Sequence, residues 1–235
     1  MSFALNPSKY ASSVVPSLQE WEGVWAAWDT VTRRMLPREG LLDKPINLRN
    51  ACIFYLGHIP AFLDIQLCKT LPAGAAAPTE PAYYHTIFER GIDPDVDDPE
   101  RCHQHSEIPD EWPPVDDILA YQGRVRARIA ELYRHYRHAS ARGGEEASFP
   151  RDLGRAIWVG FEHELMHLET LLYMMLQSDK TLPPPEAPRP DFAALARRAR
   201  AARVENEWFD IPAREISLGL DDPEDVPTFD GHFGW

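Results

Sequence analysis

The chain has 235 residues, 44% of them apolar, and a formal charge of −13. That allows one large domain, or one domain plus a fragment, with a sizeable core, while the acidity argues against a nucleic-acid or anionic-membrane surface. With no apolar run near the ~20 residues of a membrane span, no basic start and apolar stretch of a signal peptide, and three scattered cysteines (Cys52, Cys68, Cys102) that form no disulfide framework, a reducing, cytoplasmic setting is expected.

Residues 1–16 read as a lead-in. Ser17 and Glu20 then have the spacing of a capping box, and Leu18, Trp21, Val24, Trp25, Trp28, Val31 and Met35 recur at helical spacing, which predicts a first helix over 17–36 that Pro37 ends. Its three tryptophans on one face are expected in the core. A second apolar helix is predicted over 50–70, with His58 inside it and Pro60 expected to kink it.

A long connection follows, 71–113, Pro-rich at first and then aromatic at Tyr83, Tyr84 and Phe88. Connections of this length are uncommon unless they do something, so the aromatic part is expected to pack down as an ordered lid. Within it, Cys102, His103 and His105 are metal-ligand types, but close neighbours in a loop bite poorly on one ion. Pro113-Pro114 opens a third helix, 114–138, with a stripe of Val115, Ile118, Leu119, Val125, Ile129, Leu132 and Tyr136; Arg124, Arg126, Arg128, Arg134 and Arg137 fall mostly off it, as on a solvated face.

A fourth helix is predicted over 148–178, apolar on more than one side and so central to a bundle. Pro183-Pro184-Pro185 ends it, an Ala/Arg-rich linker helix is expected near 192–204, and Trp208–Ala213 and Glu215–Gly219 alternate as short strands do. The expected architecture is all-α: a four-helix bundle over 17–182, a linker over 183–206 and a strand-like tail over 207–235 too short for a core of its own.

The chemistry concentrates in His163-Glu164-Leu165-Met166-His167-Leu168-Glu169. Two histidines four apart share one helical face and can grip one ion. The same residues match the zinc-protease pattern with Glu164 as base, but no sheet precedes them to hold a peptide. Glu169 lies two residues past His167, a rotation of ~200° on a helix, so it cannot be the third ligand. His58, the other histidine in an apolar helix, is the better candidate. Three imidazoles suit Fe(II) with open positions, and zinc accepts them too. Glu162, Glu164 or Glu169 are candidates to hold a ligand's far N–H.

Phe54-Tyr55-Leu56-Gly57-His58-Ile59-Pro60 followed by His163-x-x-x-His167-x-Glu169 resembles the DinB-like bundle of the ergothioneine-type sulfoxide synthases. The long connection, from Phe88-Glu89-Arg90-Gly91 to Glu111-Trp112-Pro113-Pro114, is most similar to their fungal branch. The resemblance implies a nonheme Fe(II) on His58, His163 and His167. It also implies a reaction that uses O2 to join cysteine or γ-glutamylcysteine to hercynine, trimethylated histidine, as a sulfoxide. Bacterial relatives carry a Gln near the substrate's quaternary ammonium where this chain has Met166, and use third-helix arginines for the thiol's carboxylate, which directs attention to Arg124 and Arg126. The tail resembles the opening of the formylglycine-generating-enzyme-like domain that completes the pocket and supplies the catalytic residues, so the chain is expected to be a fragment, inactive alone, with no catalytic residue of its own. Two other readings stand beside this one: a DinB-like thiol transferase using a divalent metal without oxygen chemistry, and a non-catalytic remnant that binds a partner through the 72–113 connection or the tail.

Overall fold

The computed structural model describes residues 15–47, 49–89, 92–94, 102–104, 108–143, 149–210, 212–213 and 215. Four long helices carry the fold: α1 (Leu18–Thr30), α2 (Cys52–Thr70), α4 (Val115–Gly143) and α5 (Arg151–Met175). The connection contributes a short α3 (Tyr84–Ile87), and α6 (Phe192–Ala201) follows the bundle. The architecture is the all-α bundle that the apolar periodicity predicts.

α1 starts where its cap places it. The Ser17 hydroxyl accepts from the Glu20 amide at 3.2 Å and the Glu20 carboxylate accepts from the Ser17 amide at 2.6 Å. Two backbone donors of the first turn are thereby satisfied. Ser17→Ala is expected to destabilise the fold by about 0.5–2 kcal/mol, read as a lower urea midpoint at unchanged slope. A π-helical turn, Val31–Met35, ends the helix before Pro37. Trp21 and Trp28 are fully buried as expected. Trp25 instead lies under Arg126, whose guanidinium sits 5.4 Å from the ring centroid.

The most enclosed helix is α2, not α5. Every α2 residue from Cys52 to Ala61 is buried, because this stretch has only His58 as a titratable group besides the Cys52 thiol and the Tyr55 hydroxyl. It packs against α4 on one side and α5 on another. Pro60 lies inside α2, which continues to Thr70; a proline has no N–H to donate to the carbonyl four residues before it. The α2–α5 crossing is close, since a Cβ on Gly160 would lie 2.4 Å from Leu63 Cδ1.

α5 keeps one side partly open, with Met166, Leu172 and Tyr173 exposed. On α4 the expected stripe is joined by buried Tyr121 and Gln122. The solvated-arginine expectation is corrected at two positions. Arg126 and Arg128 are only 16% and 17% exposed, because each meets a carboxylate from a neighbouring helix.

The connection packs down through Tyr84, Ile87 and Phe88, all buried. Beyond α3, β1 (Ile92–Pro94) pairs antiparallel with β2 (Cys102–Gln104), Ile92 opposite Gln104. The side chains of Cys102, His103 and His105, and most of the 1–16 lead-in, lie outside the described residues. α6 is capped by Asp191, which accepts from the Ala194 amide at 2.9 Å, and none of its residues is buried. The strand alternation at Trp208–Ala213 is not realised: residues 203–210 adopt no regular structure, and Trp208 is 94% exposed. An isolated strand has no ladder partner to satisfy its backbone. Most of the tail beyond lies outside the described residues.

Candidate metal centre

His58 comes from α2, and His163 and His167 come from adjacent turns of α5 where the two helices cross. The three rings converge. Their centroids lie 4.9 Å apart for His58 and His163, 5.0 Å for His58 and His167, and 4.5 Å for His163 and His167. One ligand nitrogen from each falls within 4.8 Å of the others. The sequence motif and the tertiary crossing thus bring together the same three residues.

Each ring is held differently. His58 Nδ1 donates to the Phe88 carbonyl at 2.7 Å; a carbonyl only accepts, so this nitrogen carries the proton and Nε2 is left as the free base. The ring stacks on Phe54, 5.0 Å between centroids and 18° between planes. His167 Nδ1 lies 3.2 Å from the Thr170 hydroxyl, whose own proton goes to the His167 carbonyl. His163 stacks on Phe62 at 3.7 Å and 15°, and its Nδ1 is buried with no hydrogen-bond partner. A buried nitrogen without a hydrogen-bond partner, within a convergent imidazole trio, fits the role of a metal ligand.

The electrostatics agree with ligand chemistry. Burial pushes His58 down to about 4 against the raising effect of the Phe88 carbonyl. Burial first and then His58 and Arg49 push His167 down to about 3. Burial, with His58 and His167 adding to it, holds His163 far below its ordinary value. All three are therefore neutral bases near neutral pH, the form that binds a metal.

The carboxylate expectations are corrected. Glu164 does not hold a ligand's N–H. It is one residue, ~100° of helix, from His163, and it points into a buried cluster with Arg126 at 3.9 Å and the Trp25 side chain. Burial first, and Asp29 after it, raise its carboxyl to about 7 against Arg126 and Trp25. A protease-type base would have to reach a water at the ion, so that pattern is incidental. Glu169 is exposed on the outer side of α5. The far N–H groups are served instead by the Phe88 carbonyl and the Thr170 hydroxyl. Thr170, three residues from His167 on the same helical face, was detectable from spacing; a backbone carbonyl thirty residues from His58 was not.

Of the remaining positions, Met166 is 45% exposed. Arg124 donates to the Glu80 carbonyl at 2.9 Å. Arg126 bonds Asp29 at 3.0 Å, so much of its charge is already answered. Asp64, Cys68 and His85 form a second ligand-type group, but Asp64 is occupied. Its oxygens accept from the Thr79 amide and hydroxyl, His85 Nε2 and Arg128 Nη1 at 2.7–2.8 Å. Cys68 stays a thiol, pushed up by burial and then by Asp64. This group is a clamp between the connection, α2 and α4.

The chain belongs to the DinB superfamily, whose family model matches residues 19–171. Among curated proteins, it is 65% identical over all 235 residues to one from Neurospora crassa named ergothioneine biosynthesis protein 1, covering 26% of that protein. It is 32% identical over 205 residues, 87% of the chain, to a Schizosaccharomyces pombe protein of the same name, covering 25% of it. The chain spans about a quarter of the length of these curated relatives.

Proposed function

We propose that this chain is the iron-holding bundle of a nonheme Fe(II) sulfoxide synthase of ergothioneine biosynthesis. The observation that carries the reading is the convergence of three neutral imidazoles, His58, His163 and His167, with one nitrogen left unpartnered. The two relatives named for ergothioneine biosynthesis support the pathway. Three imidazoles on one side of an ion leave positions opposite for further ligands.

In this reading the thiol of cysteine or γ-glutamylcysteine is joined to an imidazole carbon of hercynine. The S–H and C–H bonds break and a C–S bond forms. One oxygen atom of O2 ends on sulfur, and the other leaves as water with the two hydrogens. Iron, when bound, supplies the activation of O2. The chain's own residues hold and orient. His58, His163 and His167 are the ligands, the Phe88 carbonyl and Thr170 hydroxyl set two of the rings, and Phe54 and Phe62 cover ring faces against water. The remaining pocket wall and the proton-delivering residue belong, in the same reading, to a formylglycine-generating-enzyme-like domain. The setting is the cytoplasm, in keeping with the unpaired Cys52 and Cys68.

Anaerobic titration with Fe(II) tests the assignment. The chain is expected to take up one ion, and the His163→Ala, His167→Ala double variant to lose it. Equal uptake by the two proteins sinks the site. Thiol transfer supported by Zn(II) without O2 would replace the oxygen chemistry with a metal-dependent thiol transferase.

A further inference from the structure

His58 is held from outside its own helix. Its Nδ1 donates to the backbone carbonyl of Phe88, which directly follows α3. Phe88 has little freedom. Its ring is fully buried and lies against α2 at Gly57, where a Cβ would meet two ring carbons at 2.4 Å. Only glycine leaves room for that ring against the helix. Trp112 stacks on the same ring, 5.7 Å between centroids and 15° between planes. Tyr84 meets the ring edge-on at 5.2 Å. Phe54, tilted against Phe88 at 6.1 Å, also stacks on His58 itself.

A second anchor fixes the same segment upstream. Asp64, fully buried on α2, accepts from Thr79 and from His85, three residues before Phe88. Arg128 of α4 closes the group by donating to Asp64 at 2.7 Å and to the Ala75 carbonyl at 2.6 Å. The segment 75–88 is thus fastened to two helices before it reaches the ligand. A surface connection that only joined α2 to α4 would not need this.

We propose that the α2–α4 connection is a positioning device for the His58 ligand: the Phe88 carbonyl, seated over Gly57, holds the ring as its Nδ1–H tautomer and presents Nε2 to the metal. Gly57, Phe88 and Trp112 are then positioning residues that act on the ion through His58. The inference rests on the metal-holding reading above, and it adds residues that the ligand motif does not contain. Outer contacts of this kind set ligand orientation and typically change metal affinity by about 10–100-fold.

Two measurements on the full chain decide it. Long-range proton–nitrogen NMR correlation on the metal-free protein is expected to show His58 as the Nδ1–H tautomer, and Gly57→Ala is expected to lose that single state as the methyl pushes Phe88 aside. Competition for Zn(II) or Co(II) with a chromophoric chelator is expected to show affinity about 10–100-fold weaker in Gly57→Ala, with helical circular dichroism retained. Should that variant fail to fold, Trp112→Leu removes one wall of Phe88 from a partly exposed position and is expected to act in the same direction. An Nε2–H tautomer in the wild type, or unchanged tautomer and affinity in the variants, overturns the proposal. A wild type that binds no metal but shows the Nδ1–H state would overturn the metal reading and leave the positioning contact standing.

Discussion

Asp64→Ala is expected to destabilise the fold by about 3–5 kcal/mol, because it strips the partner from a buried arginine. Arg128 would lose its carboxylate at 2.7 Å while remaining largely enclosed, and Thr79 and His85 would lose their acceptor. At about 2–4 °C of melting temperature per kcal/mol for a chain of this size, the loss is on the order of 10 °C by calorimetry. A shift of only a degree or two would mean that the clamp stabilises little. The same carboxylate predicts a pH dependence. Burial raises the Asp64 carboxyl, but His85, Thr79 and Arg128 together outweigh it and hold the group below its ordinary value. A depressed folded-state pKa gives stability that is present above the unfolded value of about 3.9 and is lost as pH falls through the folded value. The urea midpoints of wild type and Asp64→Asn should therefore lie furthest apart near neutrality and converge only below about pH 4. Convergence between pH 7 and 5 would assign the effect to another group.

His163→Leu is expected to have opposite effects with and without metal. In the metal-free protein His163 Nδ1 is buried without a partner, and an unmet buried polar group costs about 1–3 kcal/mol. A leucine fills similar space beside Phe62 with nothing to satisfy, so the metal-free variant should be at least as stable as the wild type. With metal at 100 times its dissociation constant, the wild type gains about 2.7 kcal/mol by linkage. The variant, left with two imidazoles, should gain far less. Thermal melts with chelator and with excess Zn(II) read both halves. A variant less stable in chelator and equally raised by metal would show His163 to be a packing residue rather than a ligand. The expected pattern is a functional site kept at the expense of stability.

Much of the bundle was legible in the chain because helices announce themselves locally. Ser17 and Glu20 cap α1, and the stripe of Ile118, Val125 and Ile129 predicts the buried side of α4. His163 and His167 were legible for the same reason, since a spacing of four makes one face whatever surrounds the helix. The arginines of α4 were not. Arg124, Arg126 and Arg128 look alike in sequence, yet one reaches a loop carbonyl and the others meet Asp29 and Asp64 in ion pairs. Glu164 and Glu169 were equally ambiguous, and packing took one into the cluster with Arg126 and left the other in solvent. The Trp208–Ala213 alternation is a local pattern that requires a non-local partner, and so it did not become a strand.

The sequence by itself determined the helices, the all-α class and the pair of α5 histidines, because i→i+4 geometry and apolar period act within one element. Only the tertiary structure decided that α2 is the enclosed helix, that His58 meets the pair, and that the Phe88 carbonyl and Thr170 hydroxyl are the groups behind two of the rings. Those outcomes depend on which faces meet at the α2–α5 crossing and on how closely the Phe88 and Leu63 side chains seat against the backbone at Gly57 and Gly160. Such long-range contacts have no fixed spacing in the chain, so no local pattern encodes them.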